Sequence, residues 1–202
     1  MRSNEEAICR QLRESGSLKL KLAEDPAAIE TIRRMADALI ACLRGGRTVY
    51  VMGNGGSAAD AQHIAGELVG RFRRERGGFA CVALSTDTSI LTSVANDYGF
   101  EDVFARQVCA LVRPGDIAWG ISTSGASKNV IKALMMAREK GATTLGLSGG
   151  DGGPLAQIAD ICFSAPSSDT PRVQECHITV AHILCGLVED ALCGEPSGSD
   201  EP

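Results

Sequence analysis

Thr48-Val49-Tyr50-Val51-Met52-Gly53-Asn54-Gly55-Gly56-Ser57 is the stretch that sets the fold class. A short apolar run enters a glycine-rich turn. The residues beyond it have helical spacing, with Asp60, His63, Glu67 and Arg71 in a single row. Glycine lets the backbone approach a ligand closely, and the N–H groups and dipole of a helix start favour an anion. The device recurs about seventy residues later, where Asp116-Ile117-Ala118-Trp119-Gly120-Ile121 enters Ser122-Thr123-Ser124-Gly125-Ala126-Ser127, with a helix expected from Asn129 to Lys140. Four hydroxyl-bearing residues in six suit a phosphate monoester better than a dinucleotide. The dinucleotide reading is also weak because Gly53-x-Gly55-Gly56 lacks the third glycine at its offset, and no acidic residue ends the second strand. The expected ligand is a phosphorylated small molecule.

Outward from these two loops the pattern repeats. Strands are expected at 47–52, 79–84, 116–121, 143–148 and 160–164, with helices of ten or more residues between most of them. That spacing calls for parallel strands joined by crossovers. Runs such as Cys81-Val82-Ala83-Leu84 and Ile117-Ala118-Trp119 are almost wholly apolar, as in a sheet covered on both faces. Two helices, 4–23 and 26–44, precede the first strand, with Asp25-Pro26 as cap and first helical residue and Gly45-Gly46 as terminator. A long helix, about 171–193, closes the pattern. The expected architecture is a three-layer α/β/α sandwich over 47–193 with an N-terminal helical hairpin, 1–46, as part of the same domain; the tail 194–202 is expected to be disordered. Ligands in such folds bind beyond the carboxyl ends of the strands. Both loops sit there, as does Gly149-Gly150-Asp151-Gly152-Gly153.

The chain of 202 residues is 44% hydrophobic and 22% charged, the balance of a soluble domain with a full core. A net charge of −5 argues against a nucleic-acid surface. Among the eight cysteines there is no Cys-x-x-Cys pair, so neither a zinc ribbon nor a thioredoxin-like site is supported. Several fall in apolar patterns, where free cysteine behaves as a small hydrophobe, and a reducing compartment follows. Met1-Arg2-Ser3-Asn4-Glu5-Glu6 does not read as a secretory leader. The expected location is the cytoplasm, with no membrane partner.

His63 and Glu67 lie four apart on one helix; Gln174 and His182 lie eight apart on the last. Each pair shares a face, while Glu175 and His177 point elsewhere. Facing one another, the pairs would offer two imidazoles, a carboxylate and an amide; the first two kinds are ordinary zinc ligands. By spacing alone His63–Glu67 reads equally as a surface pair, and a histidine on the stripe Val180, Ile183, Leu184, Leu187 as a satisfied core residue. Asn96-Asp97 reads as a helix end or as polar groups for sugar hydroxyls.

Together, Gly53-Asn54-Gly55-Gly56-Ser57-Ala58-Ala59-Asp60-Ala61-Gln62-His63, Ala95-Asn96-Asp97, Ser122-Thr123-Ser124-Gly125 and Val173-Gln174-Glu175 with His182 resemble the sugar-isomerase (SIS) domain family over roughly residues 5–193. The likeness is to its branch acting on sedoheptulose 7-phosphate. It implies a flavodoxin-like five-stranded parallel sheet, a cytoplasmic homotetramer and aldose–ketose isomerisation on the way to nucleotide-activated heptose for lipopolysaccharide or other envelope glycans. By resemblance Ser122, Thr123, Ser124 and Ser127 form the phosphate site, and Asn54, Gly55, Gly56, Asn96 and Asp97 contact the sugar, with Arg71, Gln174 and Glu67 also on the substrate. Glu67 and His182 match the acid/base pair; His63, Glu67, Gln174 and His182 match the ligands of one Zn2+ per subunit. An alternative within the family is a non-catalytic protein that binds the replication initiator; as that branch is understood, it lacks the glutamate and the last-helix histidine, both present here. A third reading, a sugar-phosphate-sensing regulator, would need a DNA-binding module, and the two N-terminal helices are too short a module for one. The apolar residues of those helices (Ile8, Leu12, Leu18, Leu20, Leu22, Ile29, Ile32, Met35, Leu39, Ile40 and Leu43) exceed what one sheet face needs, and a subunit interface is expected.

Overall fold

A computed structural model describes residues 2–194. The expected disordered tail therefore lies, beyond Gly194, outside the described residues. The hairpin forms as read: α1 (Arg2–Ala23) and α2 (Pro26–Arg44). Asp25 caps α2, its carboxylate accepting from the Ala27 N–H at 2.9 Å, with Pro26 at the first turn where no N–H is missed.

Five strands follow: β1 (Val49–Gly53), β2 (Cys81–Ala83), β3 (Ile117–Ile121), β4 (Thr143–Gly149) and β5 (Ile161–Ala165). Between and after them run α3 (Gly56–Val69), α4 (Thr88–Asp97), α5 (Ala105–Leu111), α6 (Lys128–Glu139), α7 (Gly153–Ile158) and α8 (Thr170–Cys193). All strand pairs are parallel, in the order β2-β1-β3-β4-β5. That is the flavodoxin-like doubly wound order, which reverses direction between β1 and β3.

Strand pleating divides the core in two. Val49, Val51, Trp119, Leu145 and Phe163 pack against α2, α3 and α8, while Tyr50, Met52 and Ala118 pack against α5, α6 and α7. Trp119, wholly buried at the centre of β3, is the largest core side chain.

One element departs from the sequence reading. β2 is a three-residue edge strand with Val82 40% exposed, so its apolar run does not mean cover on both faces. α8 is long and apolar enough, by length and composition, to span a bilayer. It is instead a core helix, burying Val173, Val180, Leu184 and Val188. The thiols behave as core hydrophobes: burial pushes Cys81 and Cys185 up to about 12.

Asp116 ties the sheet entrance together. Its carboxylate, 4% exposed, accepts the Thr48 N–H at 2.9 Å and the Arg113 N–H at 2.8 Å, joining the approach to β1 to the start of β3. Asp116→Ala orphans both donors, and a loss of about 2–4 kcal/mol is expected, read as a lower urea midpoint; an unchanged midpoint would show that the two bonds add nothing.

Candidate active site

The order reversal places the loops after β1 and β3 side by side while their helices leave on opposite sheet faces. The loops are joined by a reciprocal amide pair: Asn54 Nδ2 donates to Asn129 Oδ1 at 2.9 Å, and Asn129 Nδ2 donates to Asn54 Oδ1 at 2.8 Å. Asn129 Oδ1 also accepts the Val130 N–H at 2.9 Å, so α6 is oriented by the first loop. Sequence reasoning missed Asn129, since an asparagine at a helix start reads as ordinary capping.

The second loop curls at the N-terminus of α6. Ser122 and Ser127 hydroxyls lie 2.9 Å apart, the Ser127 N–H donates to Ser122 Oγ at 3.3 Å, and the Ala126 N–H donates to Ser124 Oγ at 3.3 Å. Gly125 has φ 64°, and a Cβ there would collide with the Gly152 carbonyl. Only glycine fits. Thr123 is half-buried and Ser124 exposed, leaving hydroxyls and helix-start N–H groups open to an anion.

Helix α3 starts at Gly56, where a Cβ would collide with the Gln174 amide of α8. Two turns on, His63 Nε2 lies 3.1 Å from Glu67 Oε1 and 2.9 Å from His182 Nε2 of α8. The donor atoms of His63, Glu67 and His182 all lie within 4.8 Å of one another. One ring nitrogen can donate across this contact and the other accept, the tautomer setting which. Gln174 rests against Gly56, seven residues before His63 in the partner helix. Asp60 completes the row: its Oδ2 is buried without a hydrogen-bond partner, and burial pushes its carboxyl up, a rise that nearby His63 and His182 oppose. The remaining histidine, His177, is turned away and fully buried, with Nε2 2.8 Å from the Ser148 carbonyl.

Other expected residues fall differently. α3 ends at Val69 with Gly70 as its C-cap, so Arg71 leaves the row; its side chain, 62% exposed, lies 3.8 Å from Glu75. Gly70, at φ −79° and ψ −105°, breaks the helical path one turn early. Asn96 and Asp97 sit on the exposed last turn of α4, where the Asn96 amide donates to Asp97 Oδ1 at 2.8 Å. A groove of about 490 Å³ between α1 and the start of α8, lined by Arg10, Arg13, Lys21, Ser167, Asp169 and Arg172, includes no residue of the cluster.

Comparison with known proteins identifies the family. The SIS domain family model matches residues 17–149. The chain is 58% identical over 170 residues to the phosphoheptose isomerase of Geotalea daltonii, covering 84% of this chain and 86% of the relative. To that of Aquifex aeolicus it is 53% identical over 188 residues, covering 93% and 97%. The solved structure of phosphoheptose isomerase GmhA from Neisseria gonorrhoeae superposes with a TM-score of 0.86 at 40% identity, covering 92% of this chain and 98% of the other. The chain belongs to the SIS-domain family, within its phosphoheptose isomerase branch.

Proposed function

We propose that this protein interconverts sedoheptulose 7-phosphate and D-glycero-D-manno-heptose 7-phosphate, an aldose–ketose isomerisation that feeds nucleotide-activated heptose synthesis for lipopolysaccharide or other envelope glycans. The observation that carries the reading is the convergence of Glu67, His63 and His182 on helices that flank a crevice opened by two anion-type loops. The phosphate on C7 and the reacting C1–C2 lie at opposite ends of this substrate. Separate stations are therefore needed, and the α6 loop and the α3–α8 contact supply them. The initiator-binding alternative is not favoured, because it gives no reason for the three donor atoms to meet.

Ser122, Thr123, Ser124, Ser127 and the first N–H groups of α6 would hold the phosphate. Asn54, the N–H groups of Gly55 and Gly56, and Gln174 would orient the sugar hydroxyls, with Arg71, Asn96 and Asp97 reaching in from the rim. Glu67 takes the carbon-bound proton from one of C1 and C2 and returns it to the other through an enediol. His182 exchanges the hydroxyl proton. Each such transfer contributes a factor of about 10² to 10⁴.

The cofactor we propose is one Zn2+ per subunit. Two imidazole nitrogens and a carboxylate oxygen within 4.8 Å of one another fit its donor preference. His63, Glu67 and His182 would hold it, with Gln174 as the fourth group. When bound it supplies Lewis-acid polarisation of the substrate's carbonyl oxygen. Glu67 is then shared between ligand and base. A homotetramer is proposed too, and the outer faces of α1 and α2 support it: Ile8, Leu12, Leu20 and Ile29 are 51–69% exposed. A cytoplasmic enzyme without a nucleic-acid or membrane partner fits the net charge of −5.

In an aldose–ketose assay on sedoheptulose 7-phosphate, Glu67→Gln should lose a factor of about 10² or more in kcat with its thermal melt unchanged. Retention of more than about a tenth of wild-type kcat would remove Glu67 from the proton-transfer step. Chelation with dialysis should abolish activity, and zinc should restore it. Full activity in protein that elemental analysis finds metal-free would exclude a catalytic zinc and leave Glu67 and His182 as the reacting groups.

A further inference from the structure

The segment after α3 is organised by one buried carboxylate. Glu189 on α8 is 1% exposed and lies seven residues, two turns, beyond His182 on the same side of the helix. A charge so buried is costly unless fully hydrogen-bonded. Here it accepts the backbone N–H groups of Phe72 at 3.1 Å, Arg73 at 2.8 Å and Arg74 at 3.0 Å, and Arg76 Nε at 2.9 Å. Burial alone would raise its carboxyl, but these four donors outweigh burial and hold it below the usual carboxylate range.

The rest of the Arg76 guanidinium reaches back to α3. Nη2 donates to the Glu67 carbonyl at 2.8 Å, and Nη1 donates to the carbonyls of Leu68 at 2.9 Å and Gly77 at 3.0 Å. Carbonyls at a helix end lack intrahelical donors, and a cation there also complements the dipole. The clamped segment carries Phe72, whose ring stacks on His182 with centroids 5.8 Å apart and planes 23° apart. One ion pair thus grips both proton-transfer candidates, Glu67 by its own carbonyl and His182 through Phe72.

We propose that Arg76 and Glu189 are a positioning pair that sets Glu67 against His182, without touching the substrate. The claim rests on the function proposed above. It predicts that Glu189→Gln, which keeps shape but removes the charge, lowers kcat by about 10- to 100-fold, the loss typical of a misplaced group, while KM stays within about threefold. The three histidines give a direct readout by NMR. The His182 ring signals should move in Glu189→Gln, and those of His177, which is buried against Ser148, should not. Phe72→Leu leaves the ion pair intact and should also displace the His182 signals, with a smaller loss in kcat. It serves where Glu189→Gln does not fold. Unmoved His182 signals with wild-type kcat per folded protein, in Glu189→Gln or, failing its folding, in Phe72→Leu, would overturn the proposal. If the wild type were inactive on the sugar phosphate the function reading would fall, while the His182 signals would still decide the positioning claim.

Discussion

The reversal of strand order between β1 and β3 is the constraint on which the site depends. A parallel sheet sends each crossover helix to one face, and where the order reverses the helices that follow two neighbouring strands leave on opposite faces, which opens a crevice between their loops. Here that point falls between the glycine turn after β1 and the serine turn after β3. The Asn54–Asn129 amide pair spans the gap and fixes the two loops relative to one another. With hydrophobic packing on both faces holding the strands, the loops can keep polar groups unspent for a ligand.

A second consequence of the same topology is that α3 and α8 share the face covering Val49, Val51 and Trp119. Residues 119 positions apart, His63 and His182, then meet at 2.9 Å. Neither helix alone could bring a carboxylate and two imidazoles together. The buried Arg76–Glu189 pair adds stiffness where a helix would ordinarily fray, at the end of α3. An exposed pair would contribute little, but this one, 5% and 2% exposed, is barely screened by solvent.

Much of this was legible in residues 47–57 and 116–127, because glycine and serine at a strand end have few other uses. The strand positions followed from apolar runs, each within two residues of the observed bounds, although the edge strand β2, with a strand neighbour on one side only, keeps three of its six expected residues. What remained hidden depends on contacts between distant segments. Nothing in the sequence singles out Glu189, and only the fold of residues 72–76 over it shows a buried acceptor. Arg71 reads as the next member of the α3 row until Gly70 breaks the helix. Gln174 and His182 read as one face of a helix, yet the amide meets Gly56 while the imidazole meets His63, because α3 runs along α8 for two turns. Asn96 and Asp97 read as a helix end or as polar groups for sugar hydroxyls, and they stand on the last turn of α4.

The position of a bound substrate decides whether these residues have the roles proposed. A crystal structure of the Glu67→Gln protein with sedoheptulose 7-phosphate tests it most directly. The phosphate should be found among Ser122, Ser124, Ser127 and the first N–H groups of α6, with C1 and C2 about 3 Å from residue 67 and His182, the reach needed for proton transfer. A phosphate bound instead in the Arg10–Arg172 groove, or a sugar whose C1–C2 end points away from α3 and α8, would contradict it.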